Sequence, residues 1–220
     1  MKRAIVCCVV LVVVLLGLTA SLSQTAWADD LNPPPWRGQP GTTFEEWVFS
    51  TPNPETPPDM VYNPYGVPIA EVSPGPGQDW MDLWGGHQGI WPLSGTIELD
   101  IPNLPEPNPL KDIWVQLTWA KQLENSTPDI WELDSGVHGS LVSEVVLGPT
   151  GHPAPNDLWF HSTYQIRLYP NPSSETVKID GTLLVDQVVI DTRCTVPEPS
   201  SLSIALLALG GLALVRRRRK

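Results

Sequence analysis

Cysteine is scarce in this chain, and so are positive charge away from the ends, phenylalanine and helical periodicity. Of 3 cysteines in 220 residues, Cys7 and Cys8 sit in an N-terminal apolar run and only Cys194 lies beyond it. A single remaining thiol makes no internal disulfide, so the domain between the ends must be held by its core; Cys194 reads as a bystander thiol. Positive charge is the second deficit. Residues 29–196 hold 6 Lys and Arg against 23 Asp and Glu, a net charge of −17. Such a surface repels phosphate backbones, which excludes a nucleic-acid partner. It favours solubility and neutral or cationic partners.

Catalytic and cofactor motifs are missing as well. The sequence contains no GxSxG, P-loop, dinucleotide fingerprint or haem attachment site. His87, His138, His152 and His161 form neither HxH nor HExxH, and no cysteine pair supports zinc, so they read as scattered surface histidines and no metal site is assigned. Asp79 and Asp82 are oxygen ligands for a structural calcium only in principle, because no DxDxDG-type loop surrounds them. The expectation is therefore no cofactor and no assigned catalytic residue. A glycosidase-type pair among Glu45-Glu46, Glu132 with Asp134, or Glu144 would require the fold to bring two carboxylates to about 5–9 Å.

What is present begins at the N terminus. Lys2 and Arg3 precede the apolar run Ile5–Leu18, and Ala26-Trp27-Ala28 supplies small residues at a cleavage point. This order predicts a secretory signal peptide over 1–28. An apolar core of about 14 residues is short of the roughly 20 that span a bilayer, which argues against an uncleaved anchor. Residues 29–41, with LNPPPWRGQPG, are expected to form a proline-rich extended lead-in, since proline fixes φ and removes a donor.

Over 42–195 the apolar pattern has period two. Thr96–Ile101 alternates, and Ile113, Val115, Leu117 and Trp119 share one face of 112–120. Tyr164, Ile166 and Leu168 alternate, as do Val177 and Ile179. Phe44–Ser50, Leu141–Leu147 and Leu183–Thr192 are further strand candidates, and the last breaks phase at Asp186-Gln187, the mark of a bulge. Between them lie proline clusters such as 51–59, 73–78, 101–110 and 147–157, which read as loops. Many strands, proline-rich turns and no helical pattern predict an all-β domain, an antiparallel β-sandwich of jelly-roll or Ig-like type, with a small barrel as the alternative.

The segment GPGQDWMDLWGGHQGIWPLSG (75–95) concentrates Trp80, Trp84 and Trp91 among glycines, beside Asp79 and Asp82. Indole faces on a glycine-rich loop are suited to stacking on sugar rings, with carboxylates and amides bonding the hydroxyls. The competing reading makes these tryptophans core plugs in a chain with only 3 phenylalanines. Trp114, Trp119, Trp131 and Trp159 sit in or beside strands and read as core or sheet-face residues.

The C terminus is VPEPSSLSIALLALGGLALVRRRRK. Residues 202–215 predict a transmembrane helix of roughly 21 Å, at the thin end of what crosses a bilayer. Arg216, Arg217, Arg218, Arg219 and Lys220 would stop transfer and stay cytoplasmic. Pro197-Glu198-Pro199, the short apolar segment and the cationic end together resemble the PEP-CTERM protein-sorting signal over 196–220. The resemblance implies export by the secretory translocon with signal peptidase, transient residence in the membrane, recognition by an exosortase, and delivery to the cell surface or extracellular space of a cell that makes extracellular polysaccharide. It says nothing about the central domain. The expectation is a non-catalytic surface or matrix protein whose sandwich binds polysaccharide. A secreted polysaccharide hydrolase and a purely structural surface protein are the alternatives.

Overall fold

The computed structural model describes residues 30–103 and 109–195. The expected signal peptide, transmembrane segment and sorting motif lie outside the described residues. Among the described residues no helix is long and apolar enough to cross a membrane. Fourteen strands follow in order: β1 (Thr42–Trp47), β2 (Glu55–Thr56), β3 (Met60–Tyr62), β4 (Ile69–Ser73), β5 (Met81–Trp84), β6 (His87–Leu93), β7 (Thr96–Pro102), β8 (Leu110–Lys121), β9 (Asp129–Glu132), β10 (Val137–His138), β11 (Ser140–Pro149), β12 (Leu158–Leu168), β13 (Ser174–Asp180) and β14 (Leu183–Thr195). They form two antiparallel sheets, so the domain is the expected all-β sandwich. The large sheet runs β11-β12-β8-β14-β1-β3, with β6 also paired to β14 and β5 to β6; the small sheet runs β10-β9-β13-β7-β4-β2.

The inward faces are those the alternation predicts. Ile113, Val115, Leu117 and Trp119 of β8 meet Ile97, Leu99 and Ile101 of β7 and Val177 and Ile179 of β13 in one core. Each such aliphatic side chain, fully removed from water, is worth about 1.5–3 kcal/mol. On β14 the register against β8 shifts between Val185 and Gln187. Leu183 and Val185 face the core before the shift and Val188 and Ile190 after it. Phe44–Ser50, expected as one strand, is cut short: β1 ends at Trp47, and Phe49 turns to a φ of 47°, a left-handed conformation rare for a bulky residue.

The proline-rich lead-in is not a free extended linker. Trp36 is buried, and Arg193 lies 4.9 Å over its ring. Arg37 grips Asp191 through Nε and Nη2 at 2.5 and 2.6 Å. Trp114 Nε1 donates to the Asn32 carbonyl at 2.8 Å. Asn32 to Gly41 therefore covers the outer face of the large sheet, because that face offers a buried carboxylate and an indole donor that need partners.

Candidate functional site

The 75–95 segment is not a loop carrying three tryptophans. It is the β5–β6 hairpin, turned by Gly85 and Gly86 at φ 59° and 86°. Two adjacent residues at positive φ suit the tight turns that match strand twist, and a Gly-Gly pair between apolar strands is the sequence signal for it. At the other end, β6 pairs with the start of β14, Trp91 opposite Val185. Gly89 is required here: a Cβ would lie 2.5 Å from the Val48 carbonyl oxygen and 2.6 Å from that of Phe49. That close approach brings the strained Phe49 against the hairpin, where its carbonyl accepts a hydrogen bond from Trp80 Nε1 at 2.9 Å.

This bond fixes the Trp80 ring at the wall of an open groove of about 510 Å³, lined among others by Pro52, Pro54, Gln78, Asp79, Trp80 and Trp91. Trp80 is half-buried and Asp79 exposed, whereas Trp91 is only 4% exposed and belongs to the core. Trp91 Nε1 is a buried donor with no hydrogen-bond partner among the described residues. The structure thus brings Asp79, Trp80 and Trp91 together and adds Gln78 and the two prolines, which the sequence reading passed over as loop residues.

Trp84 and Asp82 do not line that groove. Trp84 sits beside the hairpin turn, stacked on His152 (centroids 4.5 Å apart, planes 4° apart) and edge-on to Trp159 at 5.5 Å. Trp159 is buried, donates from Nε1 to the Gly85 carbonyl at 2.9 Å, and packs with Ile90, Ala120 and Leu184 in a second, smaller core. His87 tilts against Trp159 at 4.4 Å and holds Asp186, the bulge residue of β14, at 2.6 Å through Nδ1. Trp84 is therefore an anchor for the hairpin, and Asp82 is an exposed residue of β5. A further shallow depression of about 320 Å³, lined by 123–127 and Thr182, offers no aromatic face.

The histidines are not all at the surface. His161 is buried, with Nδ1 3.2 Å from Thr118 Oγ1 and Nε2 3.2 Å from Gln116 Oε1. His138 and His152 are exposed, the former 2.8 Å from Asp129. Among the described residues no group of three or more His, Cys, Asp and Glu is placed to hold a metal ion.

The core carries a polar layer at one end. Lys111 and Glu175, both fully buried, form an ion pair at 2.7 Å. Lys111 Nζ also donates to Asn103 Oδ1 at 2.8 Å. Nearby Glu45 is buried and accepts from Asn63 Nδ2 at 3.0 Å. Burial pushes Glu45 up to about 8, a rise that the Asn63 and Thr43 hydrogen bonds only partly oppose. Burial likewise pushes Glu175 up to about 7, against the pull of Lys111. Cys194 Sγ lies 3.0 Å from Asn103 Oδ1, and burial raises its thiol too, which favours the protonated form. Glu45, Asn103, Lys111 and Glu175 of this layer are buried, while Asn63 and Cys194 at its border are partly exposed.

A search of curated proteins finds no match to the chain. Among solved structures, one reported for specific mannan recognition by a carbohydrate-binding module is 14% identical, covering 69% of this chain and 96% of its own, with a TM-score of 0.29. A superposition that loose bears on neither fold nor ligand. The C terminus does have a match: residues 195–220 fit the family model of the PEP-CTERM protein-sorting motif. That span holds Pro197-Glu198-Pro199 and the cations Arg216 to Lys220, so the chain carries a PEP-CTERM sorting signal, the mark of an exosortase-sorted surface protein, attached to a sandwich assigned to no family.

Proposed function

We propose that this is an exported, non-catalytic polysaccharide-binding protein. The secretory translocon and signal peptidase deliver it, the tail holds it transiently in the membrane, and an exosortase passes it to the cell surface. The observation that carries the binding reading is the groove at Trp80. Its indole is pinned by the Phe49 carbonyl, so little side-chain freedom is lost when a sugar ring stacks on it. Asp79 and Gln78 line the same groove and supply an acceptor and an amide for sugar hydroxyls. With 17 more carboxylates than cations over 29–196, the domain repels anionic chains, which makes a neutral polysaccharide the fitting ligand. The lining includes one carboxylate, Asp79, whereas the usual route of glycoside hydrolysis uses two; this supports binding over cleavage.

The test is binding to a panel of neutral polysaccharides by affinity electrophoresis or calorimetry. Trp80→Ala is expected to weaken binding by about 10–100-fold, the usual cost of losing a central aromatic contact. Trp84→Ala, outside the groove, is expected to leave affinity unchanged in the protein that remains folded. Binding that survives Trp80→Ala at full strength, or no binding to any member of the panel, would sink the reading.

A further inference from the structure

We propose that Lys111 and Asn103 react with each other to form an intramolecular amide bond, with Glu175 moving the protons, so that the two sheets are joined covalently at the polar end of the core. Asn103 directly follows β7 of the small sheet, Lys111 lies on β8 of the large sheet, and Glu175 on β13 of the small one. The fold therefore gathers an amine, a carboxamide and a carboxyl group between its layers, away from water. The side chains of Lys111 and Glu175 are 0% exposed, and Asn103 is buried. Lys121 and Lys178, by contrast, are partly exposed. Stability alone is a poor reason for burying this ion pair, since apolar side chains of similar volume often serve as well or better.

The geometry is that of an attack about to happen. Lys111 Nζ is 2.8 Å from Asn103 Oδ1. With the C=O bond between them, that contact puts the amine roughly 3–4 Å from Cγ, close to the separation of a near-attack conformer. The amide cannot be turned the other way round. Its Nδ2 donates to the Pro172 carbonyl at 2.7 Å, and a backbone carbonyl only accepts. Nδ2 also donates to Asn171 Oδ1 at 2.6 Å. The carbonyl therefore faces the lysine, and the Cys194 thiol, 3.0 Å from the same oxygen, adds a second, weak donor that polarises it. Glu175 Oε1 stands 2.7 Å from Nζ, while Oε2 is buried with no hydrogen-bond partner among the described residues. A carboxylate so poorly satisfied favours its neutral form, and burial pushes Glu175 up to about 7. Glu175 is thus placed to take a proton from the lysine, which leaves the amine the lone pair that attack requires.

The reaction balances without an outside reagent. Glu175 accepts one proton from the Lys111 ammonium, and the freed Nζ lone pair forms a bond to Asn103 Cγ. Both nitrogens then sit on one carbon, so the carboxyl beside Nζ is also beside Nδ2. It gives Nδ2 a proton and takes one back from Nζ. The Cγ–Nδ2 bond breaks, Oδ1 returns to a carbonyl, and ammonia departs. The products are a secondary amide, ammonia and a protonated Glu175, so no ion is left buried. Exclusion of water protects the adduct from hydrolysis. With Cys194 the only cysteine beyond the N-terminal run, the sandwich has no disulfide, and this bond would give it a cross-link that needs no oxidant.

The test is tryptic mapping of the full chain, purified in detergent and digested after unfolding. Trypsin cuts after a lysine only when its amine is free, and Arg37, Lys111 and Lys121 are successive cations in the sequence. Wild type is expected to yield 38–121 uncut at Lys111 as the main product, lighter than its sequence by one ammonia, with no fragment ions from breaks between 103 and 111. Glu175→Gln keeps the shape and cannot take the proton. In protein that still melts cooperatively, it is expected to give 38–111 and 112–121 at full mass. Recovery of 38–111 at its sequence mass from wild type would overturn the proposal. So would ammonia lost with Lys111 still cut, the mark of a cyclised asparagine, or a link from Lys111 to Glu175 with loss of water. These readings come from wild type and do not depend on how a variant folds. A Glu175→Gln protein that cross-links as fully as wild type would overturn the role of Glu175. None of the readouts depends on sugar binding.

Discussion

Glu45 shows how a residue's phase and its chemistry can pull apart. It lies two residues before Trp47 on the inward face of β1, opposite Ile190. Lys111 stands two before Ile113, Glu175 two before Val177, and Asn103 two after Ile101, all in the inward phase. Each strand reaches this end of the sandwich with a polar residue where the pattern demands an apolar one, and the cost is offset by the pairing of Lys111 with Glu175 and Asn103 and of Glu45 with Asn63. At neutral pH Glu45, with its pKa pushed to about 8, is held mostly protonated by burial. In the unfolded chain it would ionise near 4.5. The folded state thus binds a proton that the unfolded state releases, and stability falls as pH rises from about 4.5 to about 8, then levels off. Glu175 acts in the same direction over a window that closes near 7. Glu45→Gln mimics the protonated acid and keeps an acceptor for Asn63. It is expected to match wild type near pH 5 and to exceed it at pH 8 by an amount on the order of a few kcal/mol. Urea denaturation at the two pH values checks this, and a variant that loses stability equally at both would show that Glu45 is ionised in the fold.

At the scale of the element, β14 is the strand that the others depend on, since it pairs with β8, β1 and β6. It serves three partners because the Asp186 bulge lets two apolar sets of opposite phase face one core. Without the extra residue, either Leu183 and Val185 or Val188 and Ile190 would point outward. Deleting Asp186 is expected to abolish cooperative unfolding. Asp186→Ala, which keeps the count and loses only the His87 contact, should cost about 1–2 kcal/mol. Circular dichroism with chemical denaturation separates the two, and a deletion variant that melts like wild type would mean that the bulge does not set the register. The same bulge was legible in the broken alternation of LLVDQVVID, as were the long strands β7, β8, β12 and β13, because each buries one face and leaves the other to polar partners. The short strands β2, β3, β9 and β10 were not, since 2 to 4 residues carry too few alternations to separate from loop. The tryptophan segment was legible as unusual but not as a site. Its composition singled out five residues. Only the hairpin's path and the turn at Phe49 decide that Trp80 faces a groove, that Trp91 lies beneath it, and that Trp84 anchors the far end.

For the whole molecule, the ends and the middle obey opposite charge rules, and the difference follows from where each part works. Seven of the 13 cations lie at Lys2, Arg3 and Arg216 to Lys220, flanking apolar runs, while the sandwich between them is acidic. Cations beside a short apolar run that enters a membrane stay on the cytoplasmic side, and on the proposed export route this would leave the sandwich outside. The final strand β14 leads at Thr195 directly into the matched motif, which begins there and reaches Pro197-Glu198-Pro199 two residues on. The apolar run 202–215, of about 14 residues, would be a marginal permanent anchor but is long enough for a temporary one. Proline disfavours helix in the residue before it, so Pro197 and Pro199 set the motif apart from the apolar run. Protein taken from the cell surface is therefore expected to lack Arg216 to Lys220, and intact-mass measurement reads this directly. A mass that still includes the five cations would make the tail a permanent anchor and confine the sandwich to the outer face of the membrane. A mass ending near Pro199 would free it, and only then could the groove at Trp80 act at a distance from the cell that made it.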